Sequence, residues 1–253
     1  MNAFFLLLAL LGAQAQTTFT PKLASDGKAS LEGFWNNAAG SAPWDIEPHP
    51  AAFQIPAGDG IIVDPADRKI PYKPAALAQR NDLRDHHIFD DPQGHCAPSG
   101  LPRQTYTPFG FQILQTKGAV VILYEAEHAY RVIRTDGSPH VPASIKLWQG
   151  DSIGHWEGNT LVVDSTNFNG RTWLDMSGNF TTESLHLIER LTPVDANTIR
   201  YEATIDDPTI YTKQWTMQFP LRRVTQAGYY ILEFACHEGE RDLQHYTVDT
   251  GKK

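Results

Sequence analysis

The stretch Ser152-Ile-Gly-His-Trp-Glu-Gly-Asn-Thr-Leu-Val-Val-Asp-Ser-Thr-Asn167 reads as two short β runs around the dipeptide Gly158-Asn159. Such a dipeptide can take the positive φ angles of a two-residue turn, which nearly fixes the pairing register. Trp156 then faces Leu161, and His155 faces Val162. Alternation puts Gly154, Trp156, Leu161 and Val163 on one face and Ile153, His155, Glu157, Val162 and Asp164 on the other. His155 and Asp164 become diagonal neighbours. They read either as an acid/base centre or as the wet side of an ordinary hairpin.

Working outward, the chain after Pro108 is a series of short β runs separated by turn signals. Phe111–Gln115 and Ala119–Glu125 flank Thr116-Lys117-Gly118, and Tyr130–Arg134 ends at Asp136-Gly137. Beyond the central hairpin, Leu185–Leu191 and Thr198–Ile205 flank residues 193–197, and Gln214–Leu221 and Tyr229–Cys236 flank Gln226-Ala227-Gly228. About nine strands joined as hairpins predict an all-β fold, an antiparallel barrel or strongly curved sandwich with a lipocalin-like meander, because closure hides the edges. The runs are too short and too charged for a transmembrane barrel. Residues 16–107 are rich in Pro, Gly, Ala and Asp and predict a loop-rich N-terminal arm before a barrel domain over 108–253. The arm has one strand signal at Gly60–Asp64, one helical stretch at Pro74–Arg84, and aromatic anchors at Phe34, Trp35, Trp44 and Phe53.

Residues 1–15 carry an apolar run, Ala3 to Leu11, followed by Ala13-Gln14-Ala15. The run is too short to span a bilayer and has the length and small-residue ending of a signal peptide, so the expected location is periplasmic or secreted. The n-region lacks Lys and Arg, a departure from the usual pattern. A net charge of −8 argues against nucleic acid or an anionic membrane as partner and leaves a small molecule or oligosaccharide. The chain has two cysteines, Cys96 and Cys236, which in an exported protein could close one long loop.

Candidate chemistry follows from alternation. On Ala119 to His128 the even face, Val120, Ile122 and Tyr124, is the buried one and places His128 at its rim. On Leu185 to Leu191 an acid, Glu189, shares a face with Leu185, Leu187 and Leu191. Such an acid either pairs with an arginine such as Arg131 or Arg190, or has a raised pKa suited to a general acid. His237 follows Cys236 and would be fixed by a disulfide. The candidate catalytic set is therefore His128, His155, Asp164 and Glu189, with Tyr124 and His237 behind them. The ten histidines form no local ligand spacing, so no cofactor is expected, and a catalytic metal would have to draw on distant histidines. No phosphate loop, dinucleotide fingerprint or nucleophile elbow is present. Trp148, Trp173 and Trp215 lie near turns and read as core or as a stacking platform. Asn179-Phe-Thr is a formal glycosylation sequon.

The strings at 60–71, 111–116, 150–164 and 235–239, the last reading Ala-Cys-His-Glu-Gly, resemble those of a widespread group of exported, mostly uncharacterised bacterial proteins from soil and freshwater lineages. The resemblance spans nearly the whole mature chain. It implies export and a single β-rich unit, and brings no activity onto particular residues. Without a visible nucleophile or metal motif, a lyase acting through a His/carboxylate pair in a barrel cavity is expected ahead of a hydrolase. The environments suggest carbohydrate or lignin-like aromatic ethers as substrates. The alternative is a non-catalytic protein gripping a sugar or aromatic ligand, and a third reading is an accessory envelope protein.

Overall fold

The computed structural model of the chain describes residues 19–52, 55–234 and 236. Phe53, His237 and the leader at 1–15 lie outside the described residues. The strands are β1 (Gly33–Asn37), β2 (Ile62–Asp64), β3 (Phe111–Thr116), β4 (Ala119–Tyr124), β5 (Tyr130–Arg134), β6 (Asp151–Glu157), β7 (Thr160–Thr166), β8 (His186–Asp195), β9 (Thr198–Asp206) and β10 (Trp215–Arg223). They form one sheet in the order β1-β3-β4-β5-β6-β7-β8-β9-β10-β2, and a further β1–β10 pairing closes nine of the strands into a barrel. The β6–β7 hairpin has the register read from the sequence, Trp156 opposite Leu161 and His155 opposite Val162. Of the turn pair, Gly158 alone takes a positive φ (58°), the pattern of a turn with glycine first.

Alternation sends one row of each strand inward. Val120, Ile122 and Tyr124 of β4, Leu161 and Val163 of β7, Leu187, Glu189 and Leu191 of β8, and Tyr201, Ala203 and Ile205 of β9 are buried. Each large apolar side chain so buried contributes about 1.5–3 kcal/mol. Trp215 is fully buried and Trp173 nearly so, which makes both core residues rather than a stacking platform.

Three features depart from the sequence reading. β1 pairs with both β3 and β10, so the stave that closes the barrel comes from within 16–107 rather than from 108–253. Phe34 and Trp35, expected as anchors of an arm, are strand residues of β1. β5 and β6 are parallel, paired at Ile133↔Ser152 and Arg134↔Ile153, because the segment 135–150 crosses back instead of turning tightly. The stretch Tyr229–Cys236 forms no strand among its described residues.

Two helices serve the barrel. α1 (Pro74–His86) starts on a proline at its first turn, where the missing N–H costs nothing, and buries Ala76 and Arg80. α2 (Arg103–Tyr106) is entirely buried; the Tyr106 hydroxyl donates to the Leu174 carbonyl at 2.6 Å and its ring meets Phe219 of β10 edge-on. A Cys96–Cys236 disulfide ties the loop before α2 to the segment after β10.

Candidate functional site

The barrel interior holds an ion pair where an acid was expected. Arg131 on β5 faces Glu189 on β8 with both terminal nitrogens on the two carboxylate oxygens. Its Nε donates to Ser152 Oγ at 2.9 Å and a terminal nitrogen donates to Ser165 Oγ at 2.8 Å, while the Tyr201 hydroxyl donates to Glu189 Oε1 at 2.7 Å. Glu189 accepts three of these bonds, two from Arg131 and one from Tyr201. Of its two expected fates, pairing with Arg131 is the one realised, and the network is a structural clamp. The Tyr124 hydroxyl lies beside Arg131 and Thr105, makes no hydrogen bond of good geometry, and is pushed to higher pKa by burial.

The other expected residues do not converge on it. β4 ends at Tyr124, and the chain then turns through Glu127 and His128, both with positive φ, so His128 leaves the buried row and sits 3.6 Å from Glu233 at the surface. His155 is exposed on the outer face and its Nε2 meets Glu157 Oε1 at 3.2 Å rather than Asp164. The diagonal placement was right, but Glu157, two residues along the same face, is its partner. His237 is outside the described residues. Asn179 of the sequon is buried, its amide donating to Asp175 Oδ2 at 2.7 Å, and is closed to modification in the folded chain.

Asp164 does have histidine partners, but others. His186, at the start of β8, reaches it diagonally, Nε2 to Oδ1 3.0 Å. His140, in the crossover between β5 and β6, reaches the same oxygen with its Nε2 at 3.3 Å. His140 is placed from behind by Asp151, whose Oδ2 meets His140 Nδ1 at 2.7 Å and accepts from the Val141 amide at 3.1 Å and Arg134 at 2.9 Å. Asn167 pins the same loop by donating to the carbonyls of Val141 and Pro142. The chain Arg134, Asp151, His140, Asp164, His186 thus runs over the outer face of β6, β7 and β8. Side-chain exposure rises along its last four members, 12%, 25%, 38% and 42%, so the water-facing end is His186.

This arrangement has a definite proton chemistry. A ring that donates from Nε2 to a carboxylate keeps a lone pair on Nδ1. His186 Nδ1 makes no hydrogen bond among the described residues. His140 has a carboxylate at each nitrogen, Asp151 at Nδ1 and Asp164 at Nε2.

His186 lies on the even face of Leu185–Leu191, whereas the acid that drew notice lies on the odd face. Its signal was an outward His on a strand neighbouring the hairpin, legible only once β7 and β8 are known to pair. His140 sits between two prolines in an irregular loop, and nothing in its spacing pointed to Asp164. Within the described residues no helix is long and apolar enough to cross a membrane, and no group of three or more His, Cys, Asp or Glu side chains is placed to hold a metal ion. No protein-family model matches the chain, and no curated protein matches it either.

Proposed function

We propose that this protein is an exported enzyme that moves protons at the His140–Asp164–His186 cluster, a lyase acting on small carbohydrate or aromatic-ether substrates. The observation that carries the reading is the shared Asp164 oxygen, which orients a water-facing His186 while Asp151 holds His140 behind it. His186 Nδ1 takes the proton from a carbon made acidic by a neighbouring carbonyl. The electron pair of that C–H bond forms the C=C bond, the β C–O bond breaks, and the imidazolium returns its proton to the leaving oxygen. Asp164 stabilises that imidazolium and fixes its ring, the role a carboxylate plays behind any histidine base. The site lies on the outside of the barrel, not in its cavity. The disulfide and the leader-like N-terminus support export.

Mass spectrometry of products from purified mature protein incubated with oligosaccharides and aryl-ether compounds tests this. Fragments whose masses sum to the parent support elimination. A gain of one water means hydrolysis, and no product from either class overturns the enzyme reading.

A further inference from the structure

A second place on the molecule carries ligand-binding chemistry of its own. At the seam between β1, the β3 approach and the segment after β10 lies a cleft of about 460 Å³, within the usual range for small-molecule sites. Its lining is aromatic, with Phe109, Tyr229 and Tyr230 in it and Phe34 packed edge-on against both tyrosines at 5.4 and 6.1 Å. Phe109 in turn packs on Phe234 at 5.0 Å, and the Cys96–Cys236 disulfide anchors this wall to the barrel. Tyr230 and Leu232 are about 70% exposed, 71% and 70%, in a wall that is otherwise held in place.

Polar groups converge on the same cleft. Asn36, Glu125 and Gln226 line it, and none of their side chains makes a hydrogen bond or ion pair among the described residues. Gly110 forms its floor: a Cβ there would lie 2.1 Å from the Tyr229 hydroxyl and 3.0 Å from Asn36 Oδ1, so glycine is what lets the two polar tips approach the backbone. Burial and the nearby Glu125 charge raise the Tyr229 pKa, which keeps its hydroxyl a donor.

We infer that this cleft is a binding site for a neutral pyranose ring, with Tyr230 stacking on the C–H face of the sugar and Glu125, Asn36 and Tyr229 meeting its hydroxyls. A flat aromatic ligand would cover the rings but leave the Glu125 carboxylate, the two amides and the phenol desolvated without partners, which is costly. A sugar offers an apolar face and a rim of O–H donors at once. The carboxylate accepts from two adjacent hydroxyls, a geometry no other acceptor in the cleft matches. The net charge of −8 favours a neutral over an acidic saccharide. The site does not depend on the His186 chemistry, and either can fail alone.

Affinity electrophoresis of the full mature protein through gels containing β-glucan, xylan, galactomannan or pullulan tests it, with choline titration as the cationic control. Retardation by at least one of the four is expected, with affinity falling roughly tenfold or more in Tyr230→Ala and several-fold in Glu125→Gln. His186→Ala should be retarded as wild type is. Tyr230 is surface-exposed, so its variant should fold, and circular dichroism confirms that it has. Retardation by none of the four polysaccharides, retardation unchanged in both cleft variants, or binding of choline alone overturns the proposal.

Discussion

His186 and Asp164 meet across the diagonal of the β7–β8 ladder, Nε2 to Oδ1 3.0 Å, while the residue directly opposite Asp164 on β8 is Ile188. A diagonal contact of this kind joins the two side chains although they are not direct cross-strand partners, and leaves the His186 side chain 42% exposed. Asp164→Asn keeps the shape but presents an amide, whose N–H faces the ring as readily as its carbonyl does. Turnover of whatever substrate the product screen identifies should fall on the order of a hundred- to ten-thousandfold, with KM little changed. Steady-state kinetics of the variant measure this directly.

Asp151 positions His140 rather than touching substrate. Asp151→Asn should free the 135–150 crossover, because one carboxylate oxygen gathers Arg134, the Val141 amide and His140. Faster amide exchange confined to this loop is expected, with a smaller loss of turnover than in Asp164→Asn. Uniformly faster exchange across the barrel would mean that Asp151 supports the whole fold instead.

The Arg131–Glu189 pair is buried, and Tyr201, Ser152 and Ser165 complete its hydrogen bonding. Arg131→Met strands a carboxylate in the barrel and should cost roughly 3–5 kcal/mol, whereas replacing both partners with apolar residues should recover much of the loss. Urea unfolding of the single and double variants gives the comparison.

Asp175 supplies a pH dependence. Its carboxyl is fully buried, and burial together with the Asp45 charge pushes its pKa up to about 7, against N–H donors from Ile46, Ser177 and Asn179 that pull the other way. Between the unfolded value near 4 and about 7, the folded chain holds a proton that the unfolded chain has lost, so stability falls as pH rises through that window. Wild type should therefore lose stability relative to Asp175→Asn between about pH 4 and about pH 7, read from denaturant midpoints at each pH.

The Cys96–Cys236 bond spans 140 residues. On the loop-entropy account its removal by Cys96→Ser/Cys236→Ser costs up to roughly 5 kcal/mol. Thermal unfolding with and without reductant should show one large downward shift in wild type and none in the double variant.

Much of this fold was legible because its signals are local. The Gly158-Asn159 turn fixed a register, and alternation along β4, β7 and β8 identified the inward rows, including Glu189 among leucines. What escaped depends on which strands become neighbours. Nothing local to Gly33–Asn37 says that it will close a barrel against β10, and nothing in Tyr229–Cys236, alternating and aromatic, says that its described residues will form no strand. The site escaped for the same reason: Asp164 was found, but its partners lie 24 residues before it, at His140, and 22 after it, at His186, whereas the diagonal neighbour His155 turns to Glu157.

The most direct test of the central claim compares His186→Ala with His155→Ala on a substrate that wild type converts, following product by mass spectrometry. Loss of product in His186→Ala with near wild-type turnover in His155→Ala is the predicted result. Full turnover in His186→Ala, or loss confined to His155→Ala, would contradict the assignment of the chemistry to the Asp164 cluster.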